Sequence, residues 1–384
     1  MPTPHIVVIG GGFAGVWAAA AAAAAKTATA PAPRITMVTP STNLSVRPRL
    51  YEADLAPTVV DLRPVLEPLG VRLRIASATH LDPVDCRIET DAGEGLAFDA
   101  AVLATGSSTP FPPVDGLADH AHRIDVHHHA AAFRSALADA RRRGDAVRVT
   151  VVGGGLTGIE LAAGLASEPD IDVTLLDGGA VGEPFGPAAM EIVRGALSDL
   201  GVKIVDGGRV AAVDTAAARL AAGGSVDHDL LVWCGGLVAN GLAGLDAFER
   251  DHLGRLVVDP TLRLSGPAPV WAAGDAARFR PDGVHVAPMS CQFAIPSGRL
   301  AGFNAAAAVV GLEPVPLDID RYVTCIDLGR AGALFTRGWD RAPVLMAEDG
   351  KRMKTFLNRT AIYPPTDPTA FLAEARPDLP ARWG

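Results

Sequence analysis

Two clusters of glycines share one spacing and could hold the diphosphate of a dinucleotide. They are the first glycine cluster, Gly10-x-Gly12-x-x-Gly15, and the second glycine cluster, Gly153-x-Gly155-x-x-Gly158. In such a cluster the first glycine makes a tight turn, the second lets a diphosphate approach the backbone, and the third lets a helix pack closely on a strand. The free N–H groups at the start of that helix favour an anion. Each cluster therefore predicts a dinucleotide-binding site.

The residue at the end of the following strand distinguishes the two predicted sites. Thr39 ends the apolar run 34–39, where an acidic residue is usual, and its hydroxyl would bind a ribose more weakly than a carboxylate does. Asp177 ends the run 171–177. A carboxylate at this point accepts ribose hydroxyls and repels a 2′-phosphate, and no arginine follows closely to bind one. We therefore predict that the second site prefers NADH to NADPH.

The apolar patterning around the clusters predicts the elements that position them. Short β-branched runs at 5–9 and 147–152 precede the clusters and are typical of buried parallel strands. Each cluster is followed by a helical segment, a second strand, an alternating meander and a closing strand, DAAVLATG at 99–106 and DLLVWCGG at 229–236. The repeated order indicates an internal duplication of a dinucleotide-binding domain.

The predicted fold class is therefore α/β, with two doubly wound, Rossmann-like dinucleotide-binding domains and a small C-terminal α+β segment. We assign residues 1–115 and 241–315 to a discontinuous first domain. Residues 116–240 form the predicted second domain, and residues 316–384 form the C-terminal segment.

Charge, cysteine content and hydropathy argue against several other classes of protein. The net charge of −9 argues against binding to nucleic acid. Four scattered cysteines without a C-x-x-C pair are typical of a reduced, cytoplasmic protein. The adjacent side chains of 127–129, all histidine, cannot face one metal ion, so no metal is predicted. The apolar run 6–25 contains three consecutive glycines and follows no Lys or Arg, which favours a buried strand and helix over a signal peptide.

Two further motifs carry a resemblance to a known family. The run WAAGDAA at 271–277 contains Gly274-Asp275, and Ala104-Thr105-Gly106 closes the first meander. With the two glycine clusters in this order, the chain resembles the pyridine nucleotide-disulfide oxidoreductase superfamily. The resemblance implies FAD in the first domain and NADH in the second. It also implies that Asp275 contacts the ribityl chain and that a helix begins at Gly274.

The resemblance assigns cofactor contacts residue by residue. For FAD it implies the first glycine cluster together with Thr39, Arg47, Thr105, Gly106, Gly274 and Asp275. For NADH it implies the second glycine cluster and Asp177.

Within that superfamily the chain looks most like the type II NADH:quinone oxidoreductase and apoptosis-inducing-factor-like branch. It lacks a C-x-x-x-x-C pair after the first unit, and WCGG at 233–236 and CQFAIP at 291–296 resemble motifs of that branch. The resemblance implies catalytic roles for Glu160 near the nicotinamide and for Cys291 and Gln292 beside the flavin. From the residues alone, Glu160 could equally be a carboxylate on a helix surface, and Cys291 a small packed residue.

The chain departs from this branch at two places, one in the expected acceptor pocket and one in the C-terminal tail. Pro296 replaces a glutamine, and we expect it to wall and narrow the acceptor pocket. The tail 351–384 is rich in proline and shows no sustained helical stripe, so no membrane-docking helix and no stable membrane insertion are predicted.

The resemblance implies an NADH-dependent flavoprotein that passes hydride from NADH to the flavin N5 and then electrons to a small, quinone-like acceptor. A flavin oxidase or dehydrogenase acting on a specialised metabolite is an alternative, as is a redox-sensing protein that binds NADH without turnover. A monomer and a homodimer are both compatible with the sequence.

Overall fold

The buried apolar runs form parallel strands, each followed by a glycine turn or a helix. A computed structural model describes residues 3–25, 31–93 and 95–379, so part of the predicted C-terminal segment, 380–384, lies outside the described residues.

The helices of the described chain are α1 (Phe13–Ala24), α2 (Arg63–Leu66), α3 (Leu117–His120), α4 (His127–Arg141), α5 (Leu156–Leu165), α6 (Pro187–Asp199), α7 (Cys291–Val310), α8 (Ala347–Phe356) and α9 (Pro368–Glu374).

The strands are β1 (His5–Ile9), β2 (Arg34–Thr39), β3 (Asn43–Ser45), β4 (Val59–Asp61), β5 (Val71–Ile75), β6 (Ala78–Asp82), β7 (Arg87–Thr90), β8 (Leu96–Ala97), β9 (Ala100–Leu103), β10 (Ser107–Ser108), β11 (Ala121–His122), β12 (Val147–Val152), β13 (Ile171–Leu176), β14 (Lys203–Val205), β15 (Val210–Val213), β16 (Ala217–Leu220), β17 (Ser225–Asp227), β18 (Leu230–Trp233), β19 (Val238–Ala239), β20 (Leu256–Val257), β21 (Val270–Ala272), β22 (Ala277–Arg278), β23 (Val323–Asp327), β24 (Ala333–Arg337) and β25 (Ala342–Leu345).

Two five-stranded parallel sheets confirm the predicted α/β class. The first has the order β21-β9-β1-β2-β5, and the second has the order β11-β18-β12-β13-β14. Every residue of the central strand β1 is buried, because helices cover both faces of a parallel sheet. Strand β21 comes from residues 270–272, so the chain returns to the first sheet after it has built the second.

Smaller sheets join and extend the parallel ones. The two predicted meanders are the antiparallel sheets β6-β7-β8 and β15-β16-β17. Strands β10 and β19 pair antiparallel where the chain crosses between the two parallel sheets and back. The antiparallel sheet β23-β24-β25, with α8 beside it, forms a small α+β unit near the C-terminus.

Helix α8 corrects one expectation about the tail. The helix runs from Ala347 to Phe356 and continues as a π turn, and one side of it is buried, so the predicted lack of a sustained helical stripe after residue 351 is wrong. Its buried stripe consists of Gly350, Lys354, Leu357, Asn358 and Ala361. This stripe has helical spacing, but glycine, lysine and asparagine conceal it from a search for apolar residues.

Helices α1 and α7 pack with their backbones in close contact. A Cβ at Gly298 would lie 2.3 Å from Ala14 O, and one at Gly302 would lie 2.0 Å from Ala18 O. Helix α7 is long and apolar enough to span a bilayer by composition, but 83% of its apolar window is buried inside the structure. It is therefore placed as a core helix.

Replacing Gly302 by alanine should lower the free energy of unfolding by about 1–3 kcal/mol, because the added methyl group forces α7 away from α1. Urea-induced unfolding followed by circular dichroism measures this. Gly195→Ala is a matched control, since Gly195 is exposed within α6 and its Cβ would meet nothing within 4 Å. The control should gain about 0.5–1 kcal/mol. A Gly302→Ala protein as stable as wild type would contradict the close packing.

Candidate functional site

A cavity of about 400 Å³ opens where the two parallel sheets and the C-terminal unit meet. The cavity lies at the carboxyl ends of strands β1, β9, β18 and β21, and the turns that follow these strands line it. Ligands bind at this edge in open α/β sheets. The first turns of α1, α5 and α7 also line it. The C-terminal unit contributes the rest of the wall through β23, α8 and the turn after β24.

The first glycine cluster has the geometry of a diphosphate cradle. Gly10 adopts φ +114°, and a Cβ there would lie 2.1 Å from Ala104 O. A Cβ at Gly15 would lie 1.8 Å from Gly10 O, so α1 sits directly on the turn. A Cβ at Gly12 would instead point into open space, and Gly12 lines the cavity. A phosphate group can therefore reach the backbone at the start of α1.

The second glycine cluster repeats this arrangement. A Cβ at Gly158 would lie 1.8 Å from Gly153 O, whereas one at Gly155 would meet nothing within 4 Å. Asp177 Oδ2 accepts the Gly154 N–H at 2.6 Å, and Oδ1 accepts the Gly179 N–H at 2.6 Å. The carboxylate thus lies directly at the glycine turn, as its place in the sequence predicts.

Thr39 occupies the corresponding place in the first unit but is 3% exposed. Its hydroxyl donates to Ser41 O at 3.1 Å, and a Cβ at Gly11 would lie 2.6 Å from Thr39 Oγ1. The hydroxyl therefore has a local partner in a tightly packed turn, and this threonine is not among the residues that line the cavity.

Asp275 lies in the cavity wall within a cluster that crosses three segments of the chain. Its Oδ2 accepts Ser107 Oγ at 2.6 Å and lies 3.8 Å from Arg47 Nη1. Arg47 Nη1 also donates to Ser107 O and Oγ, each at 3.0 Å. The structure therefore brings the predicted residues Arg47 and Asp275 together.

The helix expected at Gly274 is wrong, because only one 3₁₀ turn, Gly274–Ala276, forms there. The chain then enters β22, which pairs with β20. Thr105 of the predicted A-T-G motif does not line the cavity but hydrogen-bonds to Asn240, next to the paired strands β10 and β19. Its hydroxyl donates to Asn240 O at 3.0 Å, and Asn240 Nδ2 donates to Thr105 O at 2.8 Å. The next residue, Gly106, does line the cavity.

Three buried hydroxyl groups in the cavity wall have no hydrogen-bond partner in the described part of the chain. They belong to Ser45, Ser290 and Thr324. Leaving a buried donor unpaired costs about 1–3 kcal/mol. A polar ligand that pairs with these hydroxyls, such as a flavin with its ribityl chain, therefore fits the wall that the chain presents.

Gln292 lies at the start of α7 and uses its amide on the chain itself. Its Nε2 donates to Val323 O at 3.0 Å, and its Oε1 accepts the Val323 N–H at 2.9 Å. These two bonds hold β23 against α7. Gln292 and Cys291 both line the cavity, whereas Pro296 lies further along the helix and is not among the lining residues. The expectation that Pro296 narrows the pocket is therefore wrong.

Glu160 forms a buried ion pair with Lys354, a residue that sequence reasoning missed. Their side chains, each 8% exposed, approach to 2.6 Å, and Glu160 Oε1 also accepts the Asp327 N–H at 3.0 Å. Burial raises the pKa of Glu160, and the attraction of Lys354 opposes that change. Burial lowers the pKa of Lys354, but attraction to Glu160 outweighs it and leaves that pKa above its ordinary value. Lys354 is therefore an ammonium ion. The alternative that Glu160 is an exposed carboxylate on a helix surface is wrong, because its side chain is buried.

A layer of hydrogen-bonded side chains encloses this pair. Tyr51 Oη donates to Asp327 Oδ2 at 3.0 Å, and Asn358 Nδ2 donates to Tyr51 Oη at 3.2 Å. Lys351 Nζ lies 2.6 Å from Asp327 Oδ1. Burial, followed by repulsion from Glu160, raises the pKa of the Tyr51 hydroxyl well above its usual range. Tyr51 therefore stays neutral and serves as a hydrogen-bond donor.

The cysteines near the cavity are neutral thiols, and the histidines of 127–129 do not converge on a metal site in the described chain. Burial raises the pKa of the Cys291 thiol to about 11 and those of Cys234 and Cys325 to about 12, so all three are protonated at neutral pH. His127 Nδ1 lies 3.0 Å from Thr58 Oγ1, whereas His129 Nδ1 lies 2.6 Å from Asp125. Within residues 3–25, 31–93 and 95–379, no three potential metal ligands converge.

Comparison with known proteins agrees with this geometry. Residues 4–298 match the family model described as pyridine nucleotide-disulphide oxidoreductase. An NADH dehydrogenase-like protein of Mycobacterium tuberculosis is 37% identical and covers 98% of this chain and 99% of its own length. The demethylphylloquinone reductase NdbB of Synechocystis is 26% identical over 87% of this chain and 86% of its own. The structure of NDH2 from Plasmodium falciparum in complex with NADH superimposes with a TM-score of 0.78 at 13% identity, covering 97% of each chain.

Removing one partner of the Glu160–Lys354 pair should destabilise the protein by about 3–5 kcal/mol, because the other charge stays buried without compensation. The double variant Glu160→Gln/Lys354→Met should recover much of the loss. Urea unfolding of the FAD-saturated single and double variants at pH 7 measures the coupling. Because folding raises the pKa of Lys354 above 10.5, its stabilising effect should be complete below that pH and should decline as the pH rises further. Strictly additive losses would show that the two side chains do not interact.

Proposed function

The chain belongs to the pyridine nucleotide-disulphide oxidoreductase family and is an FAD-dependent NAD(P)H oxidoreductase, and from this premise we propose that it passes electrons from NADH to a small quinone-like acceptor. The observation that carries the proposal is the buried Glu160–Lys354 pair in the wall of one cavity that both glycine clusters approach. The similarity to a demethylphylloquinone reductase supports a naphthoquinone ring as acceptor.

The residues that would hold FAD surround one side of this cavity. The first glycine cluster would bind the diphosphate at the start of α1, and Gly106 lines the same cavity. Thr39, which lies outside the cavity wall and bonds to Ser41 O, stays a predicted contact of the adenosine end. The cluster of Arg47, Ser107 and Asp275 offers a carboxylate to ribityl hydroxyls. When bound, FAD accepts a hydride from the nicotinamide and delivers the electrons to the acceptor.

The residues that would hold NADH lie across the cavity. The second glycine cluster would bind the NADH diphosphate, and Asp177 beside it would accept the ribose hydroxyls and repel a 2′-phosphate. Leu156 and Thr157, the first two residues of α5, line the cavity between this cluster and Glu160.

Lys354 and Glu160 supply the polar chemistry of the cavity in this proposal. Reduction of a quinone takes up protons, and Lys354 holds one at Nζ in the cavity wall. Glu160 keeps Lys354 charged and fixes its position. Gln292 acts through the two bonds that seat β23, and Cys291 contributes packing with a neutral thiol. We also propose a cytoplasmic location, as the scattered cysteines predict.

The function is tested by following the absorbance of bound flavin after rapid anaerobic mixing with NADH or NADPH. NADH should bleach the flavin faster than NADPH, and menadione or 1,2-naphthoquinone should restore its absorbance over repeated turnovers. Persistent long-wavelength absorbance with NADH and no turnover would favour the redox-sensing alternative. Failure of either nucleotide to reduce the flavin would refute the proposal and favour an oxidase that takes electrons from another metabolite.

Asp275→Ala should weaken FAD binding by about tenfold, because a buried hydroxyl of the cofactor loses a charged acceptor. The fraction of purified protein that carries flavin, and the Kd for FAD after deflavination, measure this. Asp246→Ala is the matched control, since Asp246 is exposed and does not line the cavity. Undiminished FAD affinity in the Asp275 variant would remove this residue from the cofactor site.

A further inference from the structure

Arg341 is a third cation in the cavity wall, besides Lys354 and Arg47, and the proposed reaction leaves it without a role. Lys354 is neutralised by Glu160 at 2.6 Å, and Arg47 lies 3.8 Å from Asp275. No carboxylate pairs with the Arg341 guanidinium anywhere in residues 3–25, 31–93 and 95–379. Arg341 therefore brings a positive charge to the cavity that the described chain does not neutralise.

The guanidinium of Arg341 is held in a built position. Nη2 donates to Tyr322 Oη at 3.0 Å, and Nη1 donates to Pro184 O. Its central carbon lies 5.1 Å from the centroid of the Phe185 ring and 5.5 Å from that of the Tyr322 ring. These contacts use two of the five N–H donors and restrict the plane of the group. The remaining donors are free to bind an oxyanion with little further loss of side-chain entropy.

The turn that carries Arg341 ties the C-terminal unit to the second parallel sheet. Arg341 N–H donates to Gly338 O at 3.0 Å, and Gly338 N–H donates to Tyr322 O at 2.8 Å. Pro184 and Phe185, which the guanidinium contacts, belong to the segment between β13 and α6 that begins at Asp177. Arg341 thus lies beside the loop that follows the predicted NADH ribose contact.

The hydroxyl of Thr324 in the same wall lacks a hydrogen-bond partner among the described residues. Thr324 is 5% exposed and lines the cavity, and its hydroxyl bonds to no described residue. It lies two residues from Tyr322, which Arg341 contacts. The wall therefore presents a guanidinium without a carboxylate partner and a hydroxyl without an acceptor.

We infer that Arg341, with Thr324 in the same cavity wall, binds an anionic group of a substrate, and that this group is the diphosphate of the nicotinamide dinucleotide. The first turn of α5, at Leu156 and Thr157, lines the same cavity and would contact that diphosphate from the opposite element. The inference rests on the proposed function. An anionic substituent on the acceptor has the same chemistry, so the experiment separates the two sources.

The first arm measures binding of ADP-ribose to the FAD-loaded protein by calorimetry. ADP-ribose carries the diphosphate but cannot reduce the flavin, so this arm does not depend on turnover. Arg341→Gln should weaken binding about tenfold, and Arg341→Lys should restore much of the loss. Adenosine, which has no phosphate, should bind wild type and variant equally.

Arg330→Gln is the matched control for the first arm. Arg330 is an exposed arginine of the same C-terminal unit. Like Arg341, it contacts the part of the chain that forms the second parallel sheet, because its Nη1 donates to Ala166 O at 3.1 Å. It does not line the cavity, so its loss should leave ADP-ribose binding unchanged. If Arg341→Gln loses flavin or unfolds early, Arg341→Met replaces it, since its long side chain can still cover the Phe185 and Tyr322 rings. ADP-ribose binding should then depend less on salt in Arg341→Met than in wild type, and an identical salt dependence would overturn the anion site.

The second arm compares acceptors at saturating NADH. If the anion belongs to the acceptor, Arg341→Gln should raise the KM for 1,2-naphthoquinone-4-sulfonate about tenfold but not the KM for 1,2-naphthoquinone, with ADP-ribose binding unchanged. That result would retain the anion site and overturn its assignment to the dinucleotide. An unchanged ADP-ribose Kd together with an unchanged ratio of the two KM values would overturn the anion site altogether. Arg341-dependent ADP-ribose binding in a protein that reduces no quinone would refute the proposed function and leave this inference standing.

Discussion

Direct contact between a helix and the strand turn beneath it is the constraint on which the rest of this structure depends. Gly15 and Gly158 lie so close to the carbonyl oxygens of Gly10 and Gly153 that any Cβ would overlap them. Because α1 and α5 therefore start directly on their turns, their free N–H groups face the carboxyl ends of both sheets. The same contact fixes the direction of α5, which puts Glu160 in the cavity wall two residues after Gly158.

The C-terminal unit closes this cavity with charged residues, and burial determines how they must be arranged. A buried lysine next to a buried glutamate is tolerable only because the two pair at 2.6 Å and because backbone groups of β23, the Asp327 N–H and the Cys325 carbonyl, bond to them as well. Gln292 contributes by fastening β23 to α7, which seats the sheet carrying Asp327. The polar stripe of α8 is therefore as necessary to the fold as an apolar one.

This arrangement separates binding from chemistry within one cavity. The glycine clusters and Asp275 lie on the parallel sheets, where backbone geometry recognises phosphate and ribose-like groups. Lys354 and Arg341 come from the C-terminal unit, which adds a proton-holding group and an unneutralised cation. In our proposal the two parallel sheets and their glycine clusters fix the cofactors, and the C-terminal unit determines which anions and acceptors are used.

The sequence by itself determined the two glycine clusters, the parallel sheets, the meanders and the place of Asp177, because each depends on local spacing and short-range backbone sterics. The cofactor contacts assigned to Thr39 and Thr105 followed the same motifs, but both hydroxyls have partners within the chain. Thr39 bonds locally to Ser41, whereas Thr105 bonds to the distant Asn240, a partner that only the tertiary structure supplies. Only the tertiary structure decided that Lys354 faces Glu160, since these residues are distant in sequence and their helix buries a stripe that looks polar. After β21 the chain makes only a single 3₁₀ turn at Gly274–Ala276, because the next residues pair as β22 with β20. Such long-range pairing leaves no periodic signal in the sequence.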